Sequence, residues 1–407
     1  MSTQSRCAPP PSAPPYPAFW YIAYAIDKKV LHHSPKIGII SQRNVFMNIN
    51  DYIDEFGDKT FEERPFNEVD SLVFAELASL NFEQFLGWTE PEKTLSDLSV
   101  YKKTLIERTY FSKGNFNLIK NAATSTRFQK VKVGWADSYY NEEQIVQFAA
   151  FTFRLEDGTA IVSFRGTDES IVGWKEDFNM AFLSEIPAQR LAVEYIEKVA
   201  AEEKNKIIVC GHSKGGNLAV YSSVFCNESI KNRIIAIYNH DGPGFNEKIF
   251  TKDEYVALKD RMYKFVPHDS LIGILLEHEN DYKVVPSKSA NIGQHNPFTW
   301  KVKDETRFKE SGNTTVNSKL VDKAMCKFVN ELNDEQRKTF INGLFAVIEG
   351  SGAKYLNELK DAPFKRLKGM RKAYSALTGE EKKLMARGGM RFAKLWFKSI
   401  VSLKDKK

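Results

Sequence analysis

The chain has 407 residues, which is long enough for one large domain with additions or for two to three modest domains. Hydrophobic residues make up 42% and charged residues 27%, a globular composition that excludes a fibrous or wholly disordered chain. No apolar run approaches the length of a membrane span, which argues against an integral membrane protein. The net charge of +6 is uneven: Lys365 to Lys407 contains 14 Lys and Arg against 3 Asp and Glu, a net +11 that leaves −5 elsewhere.

The first 46 residues resemble an addition to a folded protein. Six prolines between Pro9 and Pro17 favour an extended, solvated backbone, so we predict a disordered leader over residues 1–46. The composition becomes globular at Met47, which suggests the hypothesis that translation starts there.

The four cysteines, Cys7, Cys210, Cys226 and Cys326, have neither the spacing of a disulfide framework nor that of a metal site. We therefore expect free thiols, a reducing compartment such as the cytoplasm, and no metal or other cofactor.

Strands and helices alternate through the middle of the chain. The predicted strands are 145–155, 159–164, 207–210, 233–238, 262–266 and 282–285, and the main predicted helices are 188–204 and 217–225. This alternation predicts an α/β fold with a largely parallel sheet, whose sites lie at the carboxyl ends of the strands. After about residue 306 the pattern is helical and basic, with capping boxes at Asn333 and Thr378.

The most informative stretch contains the pattern G-x-S-x-G at Gly211, Ser213 and Gly215, between a buried strand and a helix. A serine on such a sharp turn has a strained backbone and presents its hydroxyl at the tip. Its neighbours two positions away must be tiny because the strand and helix backbones nearly touch. The pattern predicts that Ser213 is a nucleophile.

A serine nucleophile needs a base and an acid that orients the base, in the chain order Ser, Asp or Glu, His for this type of turn. His295 lies in a loop rich in Gly, Asn and Pro after the last strand, and we predict that it is the base. Two aspartates follow strands in the required interval. We favour Asp269, which follows the later strand, and Asp241 remains the competitor.

An oxyanion hole requires two preset backbone donors. The N–H of Lys214, directly after the nucleophile, is one candidate, and the turn Gly166-Thr167 after an earlier strand supplies the other. The Lys214 side chain either pairs with an acidic neighbour such as Asp177 or attracts an anionic substrate.

Together these motifs resemble the class 3 lipases, which are α/β-hydrolases acting on acylglycerols and related esters. The motifs are 162–167 (VSFRGT), Trp174 with Asp177, 211–216 (GHSKGG) and 266–269 (VPHD). The likeness is strongest to a related bacterial group with the GHSKGGN elbow and spans Asn48 to Lys303. It implies Ser213 as nucleophile, Asp269 as acid, His295 as base, and Thr167 with Lys214 at the oxyanion hole.

The chain departs from the lipase pattern in two ways. Lys214 stands where class 3 lipases usually have leucine, and Asn217 where they have a small residue. No amphipathic lid is evident after Trp174. Ester hydrolysis therefore carries over better than triglyceride specificity.

We thus expect three regions: a leader over 1–46, an α/β-hydrolase domain over 47–305, and a basic helical extension over 306–407. The expected function is a serine esterase for small-molecule or lipid-like esters. A catalytically silent binding protein and an acyltransferase with the same triad are the alternatives.

The basic tail predicts a helix from Glu380 to Leu403 with four cations, Arg387, Arg391, Lys394 and Lys398, along one narrow stripe. Such a helix either packs on the hydrolase domain or lies at a membrane surface with its cations facing phosphates. No base-reading motif is present, so nucleic acid is not the expected partner.

Overall fold

The computed structural model describes residues 46–180, 183, 185–245, 249, 252–275, 281–315 and 331–388. The chain divides into two compact units, one of Asn44–Leu377 and one that combines Met1–Arg43 with Thr378–Lys407. The larger unit thus extends past residue 305, where we had expected the extension to begin. In the smaller unit residues 379–388 are helical, and Thr378 and Glu381 form the expected capping contacts. Residues 1–45 of the leader and residues 389–403 of the predicted tail helix lie outside the described residues.

A sheet of eight strands organises the larger unit. The strands are β1 Lys93–Thr94, β2 Lys132–Asn141, β3 Val146–Arg154, β4 Ala160–Phe164, β5 Ile207–His212, β6 Ile234–His240, β7 Met262–Pro267 and β8 Lys283–Val285. Their spatial order follows their chain order, with antiparallel pairs from β1 to β4 and parallel pairs from β4 to β8. This mixed, largely parallel sheet confirms the predicted α/β-hydrolase-like fold class.

Helices cover the sheet. They are α1 Ile49–Phe56, α2 Glu68–Leu77, α3 Leu95–Leu98, α4 Lys102–Leu105, α5 Ser112–Ala122, α6 Ile171–Met180, α7 Pro187–Glu202, α8 Lys214–Phe225, α9 Glu228–Lys231, α10 Asp253–Leu258, α11 Asp334–Glu349 and α12 Pro363–Ala376. Short 3₁₀ helices include Asn291–His295 and Leu356–Lys360. Within the part of the chain that is described, none of the helices has the length and hydropathy to cross a membrane.

Strand β5 shows why the sheet is buried on both faces. All six of its residues are buried, and successive side chains point to opposite faces. Ile208 and Cys210 belong to the apolar cluster that includes Phe74 of α2, whereas Val209 belongs to the cluster that includes Leu218 of α8. Cys210 and Cys226 are buried free thiols, as expected.

Two features of the fold were not apparent from the sequence. A bulge between Gly134 and Asp137 interrupts the alternation of β2. Helix α6 carries a fully buried charged residue, Glu176, which pairs with Lys214 of α8. The sequence pattern of 171–180 did not predict this helix.

Candidate active site

The turn between β5 and α8 has the geometry that its glycines suggest. Ser213 has φ 57° and ψ −131°, a conformation that is strained for a side chain other than glycine. A Cβ atom on Gly211 would lie 2.2 Å from the carbonyl carbon of Gly215, and one on Gly215 would lie 2.1 Å from the carbonyl oxygen of Phe164. The close approach of β4, β5 and α8 therefore requires glycine on both sides of the serine.

His295 meets Ser213 at this turn. It ends the 3₁₀ helix Asn291–His295, and its Nε2 lies 3.0 Å from Ser213 Oγ. Its Nδ1 lies 2.6 Å from Oδ2 of Asp241. Since a carboxylate only accepts hydrogen bonds, the proton sits on Nδ1 and the Nε2 lone pair faces the serine hydroxyl. This tautomer is the one that can remove the serine proton.

Asp241 is fully buried and held by other donors as well. Its Oδ1 accepts hydrogen bonds from the Ser270 hydroxyl at 2.6 Å and from the Gly273 N–H at 3.1 Å. Its φ of 51° turns the chain sharply at the end of β6. The three hydrogen bonds fix both carboxylate oxygens and thereby set the orientation of the His295 ring.

The expectation that Asp269 orients His295 is not met, and the correction follows from the sheet. In the register of β5 and β6, His212 lies opposite His240, so Asp241 follows on the strand next to that of Ser213. Asp269 follows β7, one strand further away, and its Oδ2 accepts a hydrogen bond at 2.6 Å from Nε2 of Gln294. Its N–H also donates to the Gln294 side chain at 2.9 Å. Asp269 therefore contacts Gln294, the residue before His295, whereas Asp241 contacts His295 itself.

A second histidine supports the same loop. His212, directly before the nucleophile, donates from Nε2 to the backbone oxygen of His295 at 3.0 Å. Its Nδ1 lies 3.0 Å from Oε1 of Glu76, and its ring packs 4.7 Å from that of His295. Burial opposes the charged form of His212, but the Glu76 carboxylate, the Asp241 charge and the hydrogen bond to the His295 carbonyl group together raise the His212 pKa above its usual value. Glu76 thus contacts His212, and His212 in turn holds the backbone carbonyl group of His295.

The expected oxyanion region also lies against the serine. A Cβ atom on Gly166, the residue before Thr167, would be 3.3 Å from the Cβ of Ser213. The Thr167 hydroxyl donates to Oδ2 of Asp177 at 2.5 Å. The N–H of Lys214 opens α8, where the first N–H groups of a helix have no intrahelical acceptor. The N–H of Lys214 and the turn Gly166-Thr167 therefore both lie next to Ser213, in the chain or in space.

Asp177 has an unusual environment. Burial raises its pKa to about 7, although the nearby Lys214 charge and the Thr167 hydroxyl act in the opposite direction. Its Oδ1 is buried without a hydrogen-bond partner among the described residues. The carboxyl group changes its charge near neutral pH while it holds the Thr167 side chain.

The Lys214 side chain points away from the serine hydroxyl, into the protein. Its Nζ donates to Gln147 O at 2.7 Å, to Gln147 Oε1 at 2.7 Å and to Glu176 Oε2 at 2.9 Å. Both members of the ion pair are inaccessible to solvent. The acidic partner is therefore Glu176, not the Asp177 that we had suggested, and all three ammonium protons are bound.

Arg165, Trp174 and His240, which lie near the candidate site in the chain, have structural contacts. Arg165 forms an ion pair with Glu83 at 2.7 Å, and Trp174 Nε1 donates to the Tyr110 hydroxyl at 2.8 Å. His240 is buried with its Nε2 at 2.8 Å from the Ser71 hydroxyl. Within the described ranges, no group of three or more His, Cys, Asp or Glu side chains is arranged to hold a metal ion.

Comparisons with known proteins add the following. The crystal structure of M37 lipase is similar at 14% identity and a TM-score of 0.33, over 51% of this chain and 69% of that one. The crystal structure of a triacylglycerol lipase from Penicillium expansum is similar at 10% identity and a TM-score of 0.31, over 61% of this chain and 95% of that one. No curated protein matches the chain. The Mbeg1-like family model matches residues 122–346, which is more than half of the chain and includes Ser213, Asp241 and His295. This chain therefore belongs to the Mbeg1-like family.

Proposed function

We propose that the protein is a serine hydrolase that cleaves carboxylic esters through an acyl-enzyme on Ser213. The observation that carries the proposal is the line of contacts from Ser213 Oγ to His295 Nε2 at 3.0 Å and from His295 Nδ1 to Asp241 at 2.6 Å. A serine, a correctly protonated histidine and a buried carboxylate in this order are what acyl transfer requires.

In the proposed mechanism His295 Nε2 accepts the Ser213 proton as Oγ attacks the ester carbonyl carbon. The negative charge that develops on the carbonyl oxygen is stabilised by the backbone N–H groups of Thr167 and Lys214. Asp241 stabilises the imidazolium that forms, without taking its proton. His295 then gives the proton to the departing alcohol, and a water molecule hydrolyses the acyl-enzyme by the same steps in reverse.

The proposal assigns different roles to the residues around this line. Asp241 is the acid, in place of Asp269, because it contacts the ring of His295 while Asp269 contacts Gln294. The hydroxyl of Thr167 is occupied by Asp177, so Thr167 contributes its backbone N–H. Lipid-like esters are the preferred class because of the motif resemblance to class 3 lipases.

The test is covalent labelling with a fluorophosphonate, which reacts only with an activated serine. We expect wild-type protein to be labelled and Ser213→Ala to be unlabelled, with an unchanged circular dichroism spectrum. Ser223→Ala is the matched control, because Ser223 lies on the same helix and its hydroxyl donates to the Ala219 carbonyl oxygen. It should label like wild type.

A panel of p-nitrophenyl esters with acyl chains of two to sixteen carbons then defines the substrate range. Addition of glycerol distinguishes hydrolysis, which yields the free acid, from acyl transfer, which yields a new ester. Wild-type protein that neither labels nor turns over any ester would contradict the proposal and favour a silent binding protein.

A further inference from the structure

Helix α12 presents an unusual surface. Among its 14 residues are five cations and no acidic residue. Phe364, in its first turn, is 88% exposed, more than any other large hydrophobic residue that the structure describes. At the opposite side of the helix Met370 is buried, and a Cβ atom on Gly369 would lie 2.1 Å from the Gly350 carbonyl oxygen. The helix is thus packed closely on one side and open on the other.

The cations lie on the open side together with Phe364. Lys368 and Arg371 follow Phe364 at i+4 and i+7, so the three residues share one face of the helix. Lys365 and Lys372 flank that face, and all four cations are exposed. Arg366 is different, since it hydrogen-bonds to the carbonyl oxygens of Asp361 and Ser351. We call Phe364, Lys365, Lys368, Arg371 and Lys372 the α12 face.

The chain just before α12 is bonded to a loop that follows the candidate active site. The segment before α12 hydrogen-bonds to the loop that follows Thr167: Leu356 N–H donates to Glu169 O at 2.9 Å, and Ile171 N–H donates to Lys354 O at 2.9 Å. These bonds lie within four residues of the proposed oxyanion donor. Helix α11, which packs beside α12, also places the Phe345 ring 5.5 Å from that of Phe178 on α6.

We propose that the α12 face binds an anionic lipid surface and so brings the site at Ser213 to esters held in that surface. An exposed aromatic ring beside unpaired cations fits the boundary of a bilayer, where the ring enters the acyl region and the cations meet phosphates. None of the four cations has an ion-pair partner among the described residues, so each is available for this contact. A polyanion such as nucleic acid would contact the cations, but its binding would not explain why the Phe364 ring is exposed. This inference rests on the proposed function, because it names where the substrate is found.

The experiment is flotation of the full chain with vesicles of phosphatidylcholine alone or with 30% phosphatidylserine. We expect binding only to the anionic vesicles. Changing Lys365, Lys368, Arg371 and Lys372 to Gln should weaken it by about two orders of magnitude or more, at roughly fivefold for each cation. Phe364→Ala should weaken vesicle binding at both low and high salt, since the contribution of the ring is not screened by salt.

Two matched variants make the test specific. Changing Lys103, Lys113, Lys132 and Lys206 to Gln removes the same charge from exposed positions elsewhere, and should leave flotation unchanged. Changing the four cations of the predicted tail helix, Arg387, Arg391, Lys394 and Lys398, to Gln measures how much this second basic segment contributes to flotation. Loss of flotation in the tail variant but not in the α12 variant would overturn the proposal. So would equal loss in the α12 variant and the surface control, or binding of a 30-base-pair DNA duplex that Phe364→Ala leaves intact.

Failure of this inference can be separated from failure of the proposed function. Ser213→Ala should float like wild type, because flotation needs no chemistry. The α12 variant should hydrolyse a soluble p-nitrophenyl ester at the wild-type rate and lose activity only towards an ester in anionic vesicles. Equal rates of wild type and the α12 variant on the vesicle ester would contradict the inference while leaving the esterase proposal in place.

Discussion

Replacing Asp241 with asparagine tests the assigned acid at a single atom. One oxygen of Asp241 accepts hydrogen bonds from the Ser270 hydroxyl and the Gly273 N–H, and the other accepts from His295 Nδ1. In Asp241→Asn the remaining carbonyl oxygen is drawn to the two donors, so the amide NH₂ group turns towards His295. Nδ1 then accepts a hydrogen bond, and the ring proton moves to Nε2, where it faces Ser213. The histidine can no longer remove the serine proton.

The size of the effect follows from this change of tautomer. The same substitution in a serine protease triad lowers kcat by about 10⁴, which is about 5.5 kcal/mol of transition-state stabilisation. Asp269→Asn is the matched comparison, because its side chain contacts Gln294 and an asparagine oxygen can still accept that hydrogen bond. The hydrogen bond to Gln294 then no longer involves a charged acceptor, which weakens it by about 1 kcal/mol. If all of this energy serves to position the loop that carries His295, the rate falls about fivefold.

Steady-state hydrolysis of a soluble p-nitrophenyl ester measures both variants, with circular dichroism as the check that each is folded. We expect Asp241→Asn to lose about three orders of magnitude more kcat than Asp269→Asn. If Asp269→Asn is the more damaging change, or if the two variants are equal, the assignment from geometry is refuted and the acid follows β7 after all.

Two further predictions concern titratable groups beside the site. Burial raises the pKa of Asp177 from 3.8 to about 7. Between these two pH values the native state keeps a proton that the unfolded state has lost, so the stability of the native state falls as pH rises. Asparagine at this position does not titrate, so the free energy of unfolding of Asp177→Asn, measured in urea, should increase relative to that of wild type as pH rises from about 4 to 7. A difference between the two free energies that does not change with pH would contradict this. His212→Phe removes the N–H that holds the His295 carbonyl group and should lower kcat about ten- to a hundredfold at unchanged KM, with part of the loss restored in His212→Asn. A raised KM at unchanged kcat would show that His212 acts on substrate binding.

Local signals in the sequence predicted two residues of the candidate site, Ser213 and His295. The pattern around Ser213 combines tiny residues with a strand and a helix, and each of these has a short-range physical cause. His295 was found through its position after the last strand, in a loop with turn-forming residues. In both cases the evidence lies within a few residues of the side chain, so tertiary structure was not needed to interpret it.

The acid could not be chosen in this way. Asp241 and Asp269 both follow strands, and only the order and register of β5 and β6 distinguish them, which a single sequence does not specify. A weaker signal was present in the spacing of Ser270 and Gly273. A Cβ atom on Gly273 would lie 2.2 Å from Asp241 Oδ1, so this glycine admits the carboxylate. The support around His212 was likewise hidden, because Glu76 lies on a helix far away in the chain.

The sequence did not reveal the partner of the Lys214 side chain. Its partner Glu176 is fully buried and also accepts hydrogen bonds from the N–H groups of Gln147 at 3.1 Å and Ala188 at 3.0 Å. Lys214→Met leaves that carboxylate buried without a counter-charge, which should reduce the free energy of unfolding by about 3–5 kcal/mol. Adding Glu176→Gln removes the buried charge as well, so we expect the double variant to recover about 2–3 kcal/mol of the loss.

Urea unfolding followed by tryptophan fluorescence measures the three free energies, and Lys206→Met at an exposed position is the control for loss of a lysine. A double variant no more stable than Lys214→Met would mean that the ion pair is not what holds α6 against α8.

Kinetics on the folded variants test the remaining alternative for Lys214, that it attracts an anionic substrate. Since its ammonium group is enclosed and fully hydrogen-bonded, KM for an anionic ester should not rise more than KM for a neutral one. A selective rise would show that Lys214 attracts the substrate and that the buried pair opens when the enzyme works.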